Sequence, residues 1–338
     1  MRKQITVLML GIGALGLVGS GGAALAQDVI ELKVSMFSPP SNTLNKEFVK
    51  VARDVEEKSK GRLKLALFHT SQLGPPPRQY DLVRTGVADM AYILGGLTPG
   101  RFPLSDLAIA PGVSPSALVG GRAMLEVAED TAKEFPGVRL LAPIPVSPNP
   151  IFTKNEIRRL ADLKGLRIRH PGPLQAAAIA AIGAVPVAVQ PAEVGDALAR
   201  GQIDGLTAGY GGVTSFKWQE SVRYFVRIHV GSGLFAVIMN PDSYAKLPDD
   251  LKKVVDEVIA QPDRWNRAVD EGEAADRNQL LGEGVKEVVL NDADKATYDG
   301  LVAKLWDEMI ADMEKKGLPA RAYFTKLRAA IAKNANAK

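Results

Sequence analysis

The sequence predicts two related α/β lobes followed by a helical C-terminal third. Three observations carry that expectation. Between residues 30 and 94, strand and helix patterns alternate in a β-α-β-α-β order, which favours a parallel sheet flanked by helices. The same order returns between residues 166 and 208. Both passes also share a local device. Gly86-Val87-Ala88-Asp89 and Gly201-Gln202-Ile203-Asp204 each end a helix on a glycine suited to the left-handed cap and start a strand at once.

Taken in order, the first strand runs over Ile30–Phe37, with Ile30, Leu32, Val34 and Met36 on one face and Glu31, Lys33 and Ser35 on the other. A Ser-Pro-Pro-Ser-Asn loop leads to a helix from about Asn45, with Phe48, Ala52 and Val55 as its buried stripe and Gly61 as its stop. Leu63–Phe68 is the second strand, residues 78–85 form a helix, and Ala88–Leu94 is the third strand. In the second pass the strands are Leu166–His170, Val185–Val189 and Ile203–Ala208. The helices between them are Leu174–Ile182 and Ala192–Arg200, the latter opened by Pro191, whose fixed φ suits a first turn. Asp249–Ile259 is amphipathic, with Leu251, Val254, Val255 and Val258 inward, and Pro262 kinks or restarts the helix, which reaches about Leu281. A short strand at Val285–Leu290 and helices over 292–316 and 320–333 follow.

With 338 residues, 46% hydrophobic and 24% charged, the chain is long enough for two domains and able to bury a core. Arg2 and Lys3, the apolar run Ile5–Leu17 and Ala24-Leu25-Ala26 have the layout of a secretory signal peptide, with cleavage expected after Ala26. A retained anchor is the alternative, and the shortness and glycines of the run argue against it. No long apolar span follows, so the mature protein is expected to be soluble. The chain has no cysteine, and Gln27 stands where a lipoprotein needs one. A free mature protein without disulfides, thiol catalysis or a Cys-bound metal is therefore expected. The formal charge of +4 falls to +2 once Arg2 and Lys3 are removed, leaving 40 basic against 38 acidic residues. Basic residues are interleaved with acids, so no nucleic-acid partner is expected.

Gly11-Ile12-Gly13-Ala14-Leu15-Gly16 matches the dinucleotide fingerprint, but it lies in the leader rather than between a strand and a helix. His69, His170 and His229 are the only histidines and none pairs with another at ligand spacing, so no metal is expected. No Gly-x-Ser-x-Gly elbow occurs. The strongest positive signal is Leu163-Lys164-Gly165-Leu166-Arg167-Ile168-Arg169, where Arg167 and Arg169 share one strand face. An arginine aimed from a strand at an interlobe cleft can grip a carboxylate with two parallel hydrogen bonds. The alternative is two solvated arginines at a strand edge. Ligands of open α/β sheets bind outside the carboxyl ends of strands. That makes Phe37 and Gln72 candidate contacts, against a packing Phe and a solvated loop Gln.

Over nearly all the mature chain the sequence resembles the solute-binding subunits of tripartite ATP-independent periplasmic (TRAP) transporters, the DctP type. The residues that carry the resemblance are Gly61-Arg62-Leu63, Gln72-Leu73-Gly74, Gly86-Val87-Ala88-Asp89-Met90 and Asp162 to Arg169, then Ala192-Glu193-Val194, Ala197 to Gly205 and Leu247-Pro248-Asp249-Asp250, in that order. The resemblance implies a two-lobed periplasmic binding protein of the type II-like, Venus-flytrap kind, with crossing strands and a long C-terminal helix behind both lobes. The ligand sits between lobes that close around it. Arg169 matches the strand arginine that grips the substrate carboxylate, and Arg167 a variable surface place. Asn149 stands where some members carry a second arginine. After Asp204-Gly205, where many members carry an acidic residue and a ligand-contacting asparagine, this chain reads Leu206-Thr207-Ala208-Gly209-Tyr210. Downstream, Tyr210, Phe216 and Trp218 are placed to form an aromatic wall, with packing as the alternative for Phe216 and Trp218.

These readings converge on a signal peptide over 1–26, a first lobe of residues 28–148 plus about 236–274, and a second lobe of 149–235 plus about 275–338. The expected function is capture of a small organic acid, without catalysis or cofactor, and delivery by a monomer to the membrane subunits of a TRAP transporter. One clear clamp arginine, Asn149 in place of a second, and the downstream aromatics favour a monocarboxylate with an apolar or aromatic body. The alternatives are a sensor-coupled binding protein and a periplasmic enzyme acting on a small acid.

Overall fold

The structure, a computed structural model, describes residues 29–336. The leader expected over 1–26, with its glycine run, lies outside the described residues. Strand β1 (Ile30–Ser35) pairs in parallel with β2 (Leu63–Phe68) on one side and β3 (Met90–Leu94) on the other. Leu32, Val34 and Met36 are buried as their alternation requires. Ser35, expected on the polar face, is fully buried as well, because β1 is an inner strand with apolar clusters on both faces of its sheet. The following helix, Thr43–Lys58, is capped by the Asn42 side chain, which accepts from Leu44 N. Its buried stripe is Leu44, Phe48, Val51 and Val55; Ala52 sits at the margin. Two further strands complete this sheet, β4 (Arg139–Pro145) and the later β10 (Leu234–Met239), in the order β2-β1-β3-β10-β4 with β10 antiparallel to both neighbours.

The second sheet contains β5 (Ile151–Thr153), β6 (Arg167–His170), β7 (Val185–Ala188), β8 (Gly205–Thr207), β9 (Tyr224–Val226) and β11 (Lys286–Val288), ordered β11-β9-β5-β8-β6-β7. Strands β7, β6 and β8 run parallel, and β5 runs antiparallel to β8 and β9. Each sheet is thus sandwiched between two apolar clusters, giving two α/β lobes. The chain crosses between lobes after β4 and returns after β9. The two crossings hydrogen-bond to each other, Val146 N to Gly233 O at 2.8 Å and Asn149 N to Gly231 O at 3.0 Å.

The helix Asp249–Val254 runs into a π-helical turn, Val255–Ile259, and restarts with Pro262 in its first turn, as the proline position predicts. The restarted helix, Pro262–Gly282, spans both lobes. Its Trp265 and Val269 belong to the first lobe's core, and its Leu280 to the second's. The helix Asp292–Lys315 packs Tyr298 and Leu301 into the second lobe. The last helix, Ala320–Ala335, departs from the expected division at about residue 275. Its Tyr323, Leu327, Ala330 and Ile331 pack with Ala123, Met124 and Ile238 of the first lobe. The sequence marks those residues as apolar without saying which lobe they cover. Among the described residues no helix is long and apolar enough to cross a membrane.

Candidate ligand-binding cleft

The parallel inner strands point their carboxyl ends at the space between the lobes, the antiparallel β5 and β10 their amino ends, and a cavity of about 100 Å³ lies there. From the first lobe come Phe37 and Ser38 beyond β1, Tyr92 and Leu94 on β3, and Phe235 on β10. From the second come Asn149 before β5, Arg169 on β6, Ala208 and Gly209 beyond β8, and Phe216 and Trp218. The spanning helix adds Val269 and Glu273.

Arg169 is only 3% exposed. Its Nε donates to Val189 O at 3.0 Å, one terminal nitrogen reaches Thr207 O at 3.5 Å, and its guanidinium carbon lies 5.6 Å from the Trp218 ring centre. None of the ion pairs among the described residues includes it. Burial without a counter-ion pulls its pKa down to about 10. Carbonyl oxygens thus fix the guanidinium while its remaining donors stay free for an anion. Arg167, at the start of the same strand, pairs with Asp204 on the surface at 2.8 Å. Asn149 is neighbour to this site through the sheet: Thr207, whose carbonyl meets Arg169, donates its hydroxyl to Pro150 O at 3.0 Å. Asn149 is buried and its Oδ1 has no hydrogen-bond partner.

The family model for bacterial extracellular solute-binding proteins, family 7, matches residues 34–312. The chain belongs to this family. A TRAP solute-binding protein from Rhodoferax ferrireducens, in complex with copurified benzoate, matches with a TM-score of 0.85 at 28% identity, covering 91% of this chain and 99% of that one. A marine metagenome TRAP solute-binding protein specific for aromatic acid ligands, bound to 3-hydroxybenzoate, gives the same four values. The 2,3-diketo-L-gulonate-binding periplasmic protein YiaO of Escherichia coli is 26% identical over 268 residues, 77% of this chain and 80% of its own length. The protein is therefore a TRAP-type extracytoplasmic solute-binding protein, from a family of transport proteins rather than enzymes.

Within this family 7 protein the cleft gathers five of the seven candidate contacts named from the sequence: Arg169, Asn149, Phe37, Phe216 and Trp218. Gln72 does not reach it. The turn through Thr70 and Ser71, both at positive φ, carries Gln72 to an exposed position. Tyr210 also points elsewhere. It opens the helix Tyr210–Ser215, and its ring meets Phe152 and Phe225 edge-on at 5.8 and 5.4 Å inside the second lobe. Phe216 and Trp218 stack on each other at 5.2 Å and both line the cavity.

Three lining residues escaped the sequence reading. Tyr92 is the central residue of β3, two short of its carboxyl end, so the strand-end rule that singled out Phe37 does not reach it. Phe235 lies on a crossing strand that no local pattern marked. Glu273 sits in a run of acidic and small residues that reads as a solvated face. In the fold it accepts from Tyr210 N at 2.7 Å and Gly211 N at 3.1 Å. Burial, with Asp276 and Asp270 nearby, raises its pKa to about 7. Three residues earlier on the same helix, Asp270 accepts from Ala117 N at 2.7 Å and Leu118 N at 2.9 Å in the first lobe. The spanning helix therefore holds one helix N-terminus of each lobe with a carboxylate.

Proposed function

We propose that the protein captures a small aromatic monocarboxylate between its lobes and delivers it to the integral membrane subunits of a TRAP transporter. One observation carries the proposal. Arg169 is a buried cation without a carboxylate partner among the described residues, and the cavity it faces is walled by Phe37, Tyr92, Phe235 and Trp218. An unpaired buried charge costs several kcal/mol, of order, and an incoming carboxylate offsets that cost through a two-pronged, charge-assisted pair. Arg169 is the one cationic side chain in the lining, and Glu273 is the one carboxyl group there. A second carboxylate on the ligand would therefore face a carboxyl group rather than a cation. The free Oδ1 of Asn149 supports a ligand with a hydroxyl near its acid group. The aromatic walls support a ring as the apolar body, as do the benzoate and 3-hydroxybenzoate bound by the two similar proteins.

The action is capture without chemistry. The first lobe supplies most of the apolar wall and the second supplies the cation, so only the closed form offers both, and the ligand shifts the population toward closure. The same proposal has the chain exported with cleavage after Ala26 and acting in the periplasm as a monomer without cofactor or nucleic acid. Intact-mass measurement of the exported protein tests the cleavage point; a mass retaining residues 1–26 contradicts it. A thermal-shift panel tests the ligand class, because a ligand of the native state raises the melting temperature. Benzoate, 3-hydroxybenzoate and mandelate are expected to outrank succinate and malate, and the reverse order overturns the proposal.

A further inference from the structure

Beside the cleft the two lobes touch backbone to backbone. Gly96 follows β3 in the first lobe, and Gly172 follows β6 in the second, three residues after Arg169. A Cβ on Gly96 would lie 2.8 Å from the Pro171 carbonyl oxygen and 3.1 Å from Gly172 Cα. A Cβ on Gly172 would lie 2.7 Å from Gly96 Cα and 3.2 Å from its carbonyl oxygen. The obstructing atoms from the facing lobe are backbone, so no rotamer change relieves them; Gly172 also meets the Gln175 side chain of its own lobe, at 3.2 Å from Oε1. Conformation does not demand glycine at either place. Gly172 is extended, at φ −170 and ψ 171, and Gly96 is outside the left-handed region. What both positions require is the absence of a side chain, and they require it of an interlobe contact.

We infer that Gly96 and Gly172 form a closing lip that sets the affinity of capture without touching the ligand. An alanine at either position meets the facing backbone only as the lobes close, and the Gln175 side-chain end beside Gly172 can shift by the few tenths of an ångström it needs. Pro171, between the lip and the arginine strand, lines the cavity, so the lip seals the side nearest the bound acid. Another interlobe contact near the cleft, Asn42 Nδ2 to Ser215 Oγ at 3.3 Å, joins two side chains that can reorient. The glycine lip is therefore the less forgiving of the two. This inference rests on the capture proposal, and its cost falls on the closed state alone. That separates it from an ordinary packing role, in which substitution weakens the ligand-free protein as well.

The experiment compares wild type with Gly96→Ala, Gly172→Ala and Gly172→Val, titrated with benzoate by calorimetry and melted with and without it, with succinate run in parallel. Each alanine is expected to weaken benzoate binding about tenfold or more, and valine further, which is the range of an overpacked contact. The ligand-free melting temperatures are expected to stay within about 2 °C of wild type, the shift of a sub-kcal change in a chain of this size. Wild-type affinity in all three variants overturns the lip, and so does a ligand-free destabilisation as large as the loss in the bound state. If wild type binds succinate and not benzoate, the aromatic proposal fails and succinate reads out the lip. If wild type binds neither acid, the capture proposal fails and the lip falls with it.

Discussion

In the first lobe Asp89 Oδ2 accepts from Lys33 N at 2.7 Å; in the second, Asp204 Oδ2 accepts from Arg167 N at 2.9 Å. The glycines three residues before these aspartates, Gly86 and Gly201, take φ values of +76 and +66. Register completes the equivalence. Ser35 stands opposite Ala91, two residues beyond Asp89, and Arg169 stands opposite Leu206, two residues beyond Asp204. Arg169 in one lobe thus takes the place of Ser35 in the other. The shared backbone frame sets where a side chain points, while the residue at that place sets the chemistry. The first lobe fills its frame with apolar packing and aromatic surface, and the second puts its cation there. On the capture proposal neither half is a binding site alone, and closure and capture are then one event.

The largest expected effect breaks the comparison at its polar end. A hydrogen bond to a charged group contributes about 1.5–3 kcal/mol, and truncating one partner of a buried charge pair costs roughly 2–5 kcal/mol. Arg169→Ala is expected to weaken binding of the best acid on the order of 30- to 1,000-fold, at about tenfold per 1.4 kcal/mol. Arg169→Lys is expected to recover part of this, keeping charge without the planar fork. Calorimetry at matched ionic strength checks both. Affinity within about threefold of wild type in Arg169→Ala would remove the clamp.

At the apolar end, Phe235 lines the cavity and stacks on Phe37 with ring centres 6.4 Å apart. Phe235→Ala removes part of a contact whose full burial is worth about 1.5–3 kcal/mol. Benzoate is expected to bind about tenfold weaker, with succinate little changed. Equal losses for the two acids would mean that the wall does not select for a ring.

The spanning helix gives a smaller effect, read through pH. Glu273 is an acid whose folded-state pKa, about 7, lies above its ordinary 4.5. Its contribution to stability is complete below about 4.5 and is lost as pH rises through 7. Glu273→Gln carries no such titration. Wild type is therefore expected to lose melting temperature relative to the variant between pH 5 and 8. The slope is the readout rather than the absolute value, since a glutamine serves only one of the two N–H groups with an oxygen. Parallel curves for the two proteins would show that Glu273 ionises without penalty.

Much of this was legible in the sequence because it is local. Alternation at Ile30–Met36, the two Gly-x-x-Asp turns and the Pro262 restart are all written within a few residues of the feature they cause. Arg169 was legible as a charged residue at the carboxyl end of a strand. The crossing strands β5 and β10 were not individually legible. β5 has three residues, and β10 is an apolar run whose partners, β3 and β4, lie about 90 or more residues earlier. Tyr210 was legible as an aromatic near the site but not in its direction, since that depends on Phe152 and Phe225 from other strands. Glu273 was hidden for the opposite reason. Its neighbours in sequence are polar, and only the approach of a helix from the second lobe buries it.

The smallest expected effects sharpen the comparison, because they concern positions that the frame treats alike and the chemistry does not. Arg167 is two residues from Arg169 and carries the same charge, but its side chain is 44% exposed and already paired with Asp204. Exposed pairs of this kind are screened by solvent and contribute little. Arg167→Ala is therefore expected to leave affinity within about threefold of wild type. Ser35 holds the place of Arg169 in the first lobe, with a fully buried Oγ that has no hydrogen-bond partner. An unmade buried hydrogen bond costs about 1–3 kcal/mol, so Ser35→Ala is expected to change stability by between zero and about 1 kcal/mol in the favourable direction, once the lost contacts of the hydroxyl are set against that cost. Affinity is expected not to move. If Arg167→Ala loses as much binding as Arg169→Ala, diffuse positive potential rather than a fixed clamp attracts the acid. If Ser35→Ala weakens binding more than about threefold, then both lobes address the ligand from the same strand position, and the division into a cationic half and an apolar half is wrong.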